Sequence, residues 1–305
     1  MKRVFLAATS VLGVAAFGYT VYAVGAREIR NVLVQIGWGF GAILLVSGAR
    51  EAVRAVAWSC SLDKSVELSF RNAFAARLVG EALNALLPMG FLVGEPAKAA
   101  HVADRVPFTT AFGALMIEFA FYSASLLALF GAVVLLLLPP SVAFGCAALL
   151  VLTFVVLRKH RHPFRRLSAL ASRYHHRACA IIALEIAYHA LGIVEVYTIL
   201  GLVDSQRPSW ASAVALEAVN RIVTIVFKML PMRVGVDEVA AAMVANQLGM
   251  GTSTGVIVAL ARKIRLLFWS AVGLVLLLMR VRRQIAPGHA RVDLADALPL
   301  PGASH

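Results

Sequence analysis

Charge is scarce in this sequence. Only 15% of its 305 residues are Asp, Glu, Lys or Arg, and 60% are hydrophobic. A soluble domain carries about 25% charged and about 45–50% apolar residues. The composition therefore excludes a water-soluble globular chain, and a mean hydropathy of +0.82 agrees. Acid is scarcer still: 16 carboxylates against 29 Lys and Arg give a net charge of +13. That surplus does not point to nucleic acid. The positive residues cluster between apolar runs, as positive-inside topology requires. Cysteine is almost absent, and Cys60, Cys146 and Cys179 stand at no motif spacing. No disulfide framework and no metal site follow from them. HExxH, a phosphate-cradling glycine loop and a nucleophile elbow are all missing, so no metal or other cofactor is expected. No stretch reads as a separate soluble domain.

What is present is apolar sequence with interruptions. Behind Lys2 and Arg3, the uncharged run Val4–Gly25 has full bilayer length and reads as a retained first span rather than a signal peptide. Val32–Gly48 reads as a second span. Arg50, Arg54, Lys64, Arg71 and Arg77 follow and mark a cytoplasmic side. From Phe119 to Leu157 there are 39 residues without a charge, with Pro139-Pro140 near the middle. Two helices joined by a proline turn account for them, the first starting near Thr109 and carrying Glu118. Arg158–Arg177 holds seven Arg or Lys and no acid. A further span covers 179–203, and the last helix ends at Met279 before Arg280, Arg282 and Arg283. The division expected is one transmembrane unit, 1–283, and a tail, 284–305, that reads as disordered and cytoplasmic.

Two stretches half a chain apart look like copies. Glu81-Ala82-Leu83-Asn84 is followed by Leu87-Pro88-Met89, Gly94 and Glu95; Glu217-Ala218-Val219-Asn220 is followed by Leu230-Pro231-Met232, Gly235 and Glu238. Each copy places a Glu seven residues after its Pro, but the Asn-to-Pro spacing is four in the first and eleven in the second. The repeats run over about 67–138 and 208–279. Counting sides from the basic clusters, with both termini cytoplasmic, the first copy begins and ends inside and the second outside. The expected fold is thus an all-α polytopic membrane protein: about six full spans plus two helix-broken hairpins, re-entrant or crossing, in an inverted repeat. Paired Gly/Pro-interrupted segments in two halves are the best sequence pointer to a transport site.

Ionisable groups in a membrane helix cost about 2.5–3.5 kcal/mol at its centre, so each calls for a reason. The uncharged run before Arg280 begins only at Leu266, 14 residues earlier. Arg262 and Arg265, three apart on one helix face, are therefore expected within the membrane's outer part. There they either snorkel to the headgroups or hold a lipid phosphate. Glu217 and Arg221 are four apart in the favourable order for an ion pair, beside Asn220. Glu81 has Arg77 and Asn84 as helical neighbours. These pairs either neutralise themselves or line a translocation path. Pro88 and Pro231 break their helices; Glu95, Lys98 and Glu238 lie just beyond. Glu185, Tyr188, His189, Gly192 and Glu195 form a polar stripe, read as helix–helix hydrogen bonding or, for Glu185 and His189, a proton relay.

On Glu81–Asn84, Pro88, Gly94-Glu95, Asn220, Pro231, Gly235, Glu238 and the Arg-bearing final helix, the chain resembles the transmembrane, flippase-like part of the lysylphosphatidylglycerol synthase family. The resemblance covers roughly 4–280. Members are bacterial or archaeal multi-pass proteins, some joined to a soluble aminoacyl-transfer domain for which this chain has no room. Val93 stands where members often have the first Gly of Gly-Gly-Glu. The compact chain is also similar to stand-alone members associated with hopanoid gene clusters.

The resemblance implies translocation of a phospholipid or lipid-linked precursor between leaflets of a bacterial inner membrane, with no catalytic residues. The residues singled out above would line the path. The partner expected is a phosphate-bearing membrane lipid, together with self-association or lipid-biosynthesis proteins, and no nucleic acid. An intramembrane lipid-modifying enzyme using Glu185 and His189, or a scaffold of a lipid (hopanoid) biosynthesis complex, are the other readings.

Overall fold

A computed structural model describes residues 2–63, 66–137, 175–203 and 208–285. Every regular element among them is helical, and the chain is an all-α polytopic membrane protein. The order is α1 (Lys2–Val24), α2 (Ala26–Ile36), α3 (Gly39–Cys60), α4 (Phe70–Leu86), α5 (Phe91–His101), α6 (Phe108–Leu137), α7 (His175–Val203), α8 (Trp210–Val226), a 3-10 turn (Pro231–Arg233), α9 (Val236–Gln247) and α10 (Thr252–Ile285). Among the described residues, three stretches are long and apolar enough to cross a bilayer, within α6, α7 and α10; the bent pair α2–α3 makes a fourth. The Pro139-Pro140 turn, the expected second helix of that pair, the basic loop before His175, the Asp204 loop and the tail lie outside the described residues.

The second span is where expectation and structure part. Val32–Gly48 is not one helix. Gly37 sits at φ 57°, ψ −140°, a conformation open to glycine, and the chain turns by 100° between α2 and α3. α3 then runs past Gly48 to Cys60 and takes Arg50 and Arg54 with it. Those two, with Arg77, are not part of a solvated cytoplasmic cluster. Arg50 and Arg77 are buried and the Arg54 side chain is 12% exposed, because carboxylates on neighbouring helices meet them.

The two halves share one plan: a long helix, a broken hairpin, a long helix. In the first half these are α3, α4–α5 and α6; in the second, α7, α8–α9 and α10. The first helices run antiparallel. Ile43 packs with Val196, Ile199 and Leu200, Arg50 pairs with Glu195, and Arg177 donates to the carbonyls of Cys60 and Leu62. The hairpin bases accordingly sit at opposite ends of α3. Ala73, Ala76, Ala99, Val102 and Ala111 close one base against Ala55 and Trp58. Ala213, Leu216, Val244 and Val258 close the other in the cluster that holds Ile43.

The arms α5 and α9, with 11 and 12 residues, rise about 1.5 Å per residue, well short of a hydrocarbon core of about 30 Å. Their tips meet inside. The Met89 N–H donates to the Met229 carbonyl at 3.2 Å. Met232 is buried against Ala82 and Leu86 of the first hairpin. The copies match down to the backbone, since Met89 and Met232, each following its proline, both take a left-handed φ of about 50°. A non-glycine residue held there costs about 1–3 kcal/mol, so the surrounding packing imposes this turn twice.

Within the first hairpin the arms touch backbone to backbone. A Cβ on Gly94 would overlap the Asn84 side chain and the Gly80 carbonyl. Gly94→Val is therefore expected to destabilise by about 1–3 kcal/mol through overpacking, read as a lower melting temperature in detergent. Opposed bases also predict opposed labelling. In a variant with its native cysteines removed, probes at Ser69 and Thr109 should react from one face of the membrane and probes at Ser209 and Thr252 from the other. Labelling of both pairs from one face would refute the opposed arrangement.

Candidate functional site

Where the hairpins meet the long helices, most of the charged residues singled out in the sequence, Glu238 excepted, assemble into one buried network. Its first part is built on α8. Glu217 is fully buried and is held by Arg221, one turn on at 2.7 Å, and by Arg262 of α10 at 2.6 Å. Glu195 of α7 takes Arg50 of α3 at 2.5 Å and Arg265 of α10 at 3.0 Å. Arg50 also lies 3.8 Å from Glu217, and Arg262 lies 3.8 Å from Glu195, so the two carboxylates share their cations. Gly192 makes the approach possible, since a Cβ there would overlap the Glu217 carboxylate. Neither Arg262 nor Arg265 snorkels to a headgroup; both turn inward.

The second part belongs to the first hairpin. Lys98, buried on α5, bridges Glu81 at 2.7 Å and Glu95 at 2.8 Å. Asn84 donates to the same Glu95 oxygen at 3.0 Å. The expected Arg77–Glu81 pair is present but loose at 3.3 Å, because that guanidinium also holds Glu51 of α3 at 3.1 Å. Arg54 binds Glu118 of α6 at 2.6 Å and lies 4.0 Å from Glu185 of α7. Tyr122 and Tyr188 join the parts: Arg221 donates to both hydroxyls, Arg54 stacks 4.4 Å from the Tyr122 ring, and Arg50 stacks 4.7 Å from Tyr188.

Formal charge is separated across this network. Around Glu195 and Glu217, four cations (Arg50, Arg221, Arg262, Arg265) face two carboxylates. Around the first hairpin, five carboxylates (Glu51, Glu81, Glu95, Glu118, Glu185) face three cations (Arg54, Arg77, Lys98). The first part has two positive charges in excess and the second two negative. The acidic part is also the more open one. The side chains of Glu81 and Glu95 are 30% and 27% exposed, while Glu195 and Glu217 show 1% or less.

A cavity of about 40 Å³ lies between the parts, lined by Glu51, Glu81, Arg265 and Ser270. It is roomy enough for water, which needs about 10–15 Å³. A smaller one inside the second hairpin is lined by Asn220, Asp237 and Arg262.

Glu238 is not in this network. It caps α9, accepting from the Gly235 N–H at 2.8 Å, and pairs with Lys263 of α10 at 2.5 Å. Asn220 lines the small cavity together with Arg262, Pro88 follows the end of α4 and Pro231 opens the 3-10 turn. The polar stripe on α7 faces inward as expected, with Glu185, His189 and Glu195 all buried. His189 Nε2 meets Ser125 Oγ of α6 at 3.2 Å, a helix–helix contact. Sequence reasoning missed Arg50, Glu51, Arg54 and Lys263 as site residues. The signal for the first three was available: Ser47, Arg50, Glu51 and Arg54 share one face at helical spacing, a stripe hidden by ending the second span at Gly48. Among the described residues no cluster of His, Cys, Asp and Glu could hold a metal ion.

With this geometry in hand, the comparison with known families is decisive. Residues 5–273 match the lysylphosphatidylglycerol synthase TM region. The chain belongs to that family. No curated protein and no solved structure matches it. Membership fixes a membrane location and a lipid-related membrane role, and the matched region takes in both hairpins and every charge of the network.

A buried ion network tolerates loss of a pair better than loss of one partner. Arg262→Gln alone, leaving Glu217 short of a cation, is expected to cost about 3–5 kcal/mol. Arg262→Gln with Glu217→Gln should recover much of that. A double-mutant cycle on thermal unfolding in detergent checks it, and additive losses would show that the two side chains act independently.

Proposed function

We propose that this member of the lysylphosphatidylglycerol synthase TM-region family moves a phospholipid, or a lipid-linked precursor, between the leaflets of a bacterial inner membrane. The observation that carries the reading is the charge separation inside the network. A phosphate is met best by the arginine-rich part, because a guanidinium fork matches phosphate oxygens. An ammonium or other cationic headgroup is met best by the more open carboxylates Glu81 and Glu95. A zwitterionic or anionic headgroup bridging the two would replace pairs the protein makes with itself. Each exchange then costs little, as passage rather than tight binding demands.

Broken helices are tolerated at membrane depth where they line protein or water. Two hairpins entering from opposite ends of α3 and meeting at their tips supply access from each leaflet. Cytoplasmic termini accord with the charges. Arg177 joins the α3–α4 loop, and Arg280 joins Asp104 of the α5–α6 loop at 2.7 Å. The basic ends thus gather at one face, the cytoplasmic one by the positive-inside rule. The Asp104 carboxyl sits there in a partly buried spot that would raise it, and its hydrogen bond from Arg280 outweighs this and holds it below the ordinary range.

The test is headgroup transfer in proteoliposomes carrying fluorescent phospholipids, with reduction of the outer-leaflet dye as readout. The wild type should expose lipid at least tenfold faster than empty vesicles, about 1.4 kcal/mol in barrier height. Arg262→Gln/Glu217→Gln should insert and fold yet lose that rate. Undiminished transfer in the double variant would sink the assignment of the network as the path.

A further inference from the structure

One carboxylate in the network has no counter-charge of its own. Glu185 is fully buried on α7. Neither of its oxygens accepts a hydrogen bond from any described residue. The cation beside it, Arg54, keeps its Nε 4.0 Å away and spends its guanidinium on Glu118, through Nε at 2.7 Å and through its terminal nitrogen at 2.6 Å. Arg77 is also engaged, with Glu51 and Glu81. Glu118 and Glu185 therefore crowd one cation, since Glu118 Oε1 lies 2.7 Å and Glu185 Oε2 4.0 Å from the same Arg54 Nε. Two carboxylates competing for one guanidinium favour a proton on the one that is less well held. A charge at this depth is retained only if paired and hydrogen-bonded; Glu185 accepts no hydrogen bond, and the 4.0 Å approach of a guanidinium already bonded to Glu118 is its one ion contact among the described residues.

We infer that Glu185 is a proton-binding site, beside the Arg54 guanidinium that Glu118 occupies. The other groups facing this spot are accounted for. From α6, Tyr122 lies under Arg54; from α8, Arg221 is bonded to Tyr122 and Tyr188. On α7 itself, His189 is turned to Ser125. α2 and α10 meet α7 further on, around Glu195 and Val196–Leu200. None of these offers Glu185 a cation.

The site has a consequence for the network that rests on the translocation reading. With Glu185 ionised, the seven cations and seven carboxylates of the network balance. With a proton on Glu185, one positive charge is left over, and an anionic phosphate can match it. Proton uptake and phosphate-headgroup binding then favour each other, and by linkage each shifts the other's equilibrium by the same factor. The proton is taken up and released unchanged, and no bond other than O–H is made or broken.

Infrared spectroscopy of the whole protein in bilayers tests the site without any transport assay. The expected result is the carbonyl band of a buried carboxylic acid at neutral pH, absent in Glu185→Gln and shifted in Glu118→Gln. Glu185→Gln should melt at or near the wild-type temperature, because glutamine mimics the protonated acid. A band that survives in Glu185→Gln, no band at all, or a sharp loss of melting temperature in that variant would overturn the inference.

The coupling is tested in proteoliposomes. Wild-type lipid transfer should vary several-fold with pH, and that dependence should flatten in Glu185→Gln. An unchanged pH profile in the variant would overturn the coupling role. If the wild type transfers no lipid under any condition, the translocation reading falls, and the infrared band still decides the proton site.

Discussion

Every buried charge here must be answered by another, and that constraint organises the molecule. Single ions in hydrocarbon are costly, so Glu195 and Glu217 can exist only because α3, α8 and α10 deliver Arg50, Arg221, Arg262 and Arg265 to them. The demand fixes the helix arrangement. α7 must lie against α3 in the antiparallel sense that brings Glu195 to Arg50, and Gly192 must be bare where the Glu217 carboxylate passes. Apolar packing between membrane helices has no hydrophobic drive behind it. The ion network, with the close glycine contacts at Gly80, Gly94 and Gly273, supplies the specificity that packing alone lacks.

The two halves share their plan but not their electrostatics. In the first hairpin, Glu81 and Glu95 are joined within the hairpin by Lys98. Three residues beyond Glu238, where the first copy has Lys98, the second has Ala241. The second hairpin instead draws Arg262 and Lys263 from α10. One hairpin is tied to itself and the other to the helix that follows it. A duplicated scaffold thus carries a functional polarity that its backbone does not show.

Much of this was legible in the sequence because the signals are chemical and local. The E-A-(L/V)-N and L-P-M copies marked both hairpins, and the Leu266–Met279 run was too short to leave Arg262 outside the membrane. The network's other half was not legible, for a physical reason. Arg50 and Arg54 follow an apolar run that ends at Gly48, and a charge after such a run reads as loop. Only the tertiary partners Glu195 and Glu118, more than 60 residues away, make a buried helix of that segment. Glu238, expected on the path from its place in the motif, stands apart from the network, and its spacing from Gly235 makes it a helix cap.

The Gly37 elbow has one more effect. By turning the chain through 100°, it lets α3 begin with apolar residues and carry Arg50 and Arg54 in its second half, so the network's two parts sit one helical turn apart on the same rod. Arg50 serves the cation-rich part and Arg54 the carboxylate-rich part. α3 is therefore the axis of an internal dipole with excess charges of opposite sign along its length. Moving one elementary charge through a membrane potential of 100 mV is worth about 2.3 kcal/mol. α3 itself carries Arg50, Glu51 and Arg54, one net positive charge, so a shift of α3 along the membrane normal against its partners would work with or against such a potential.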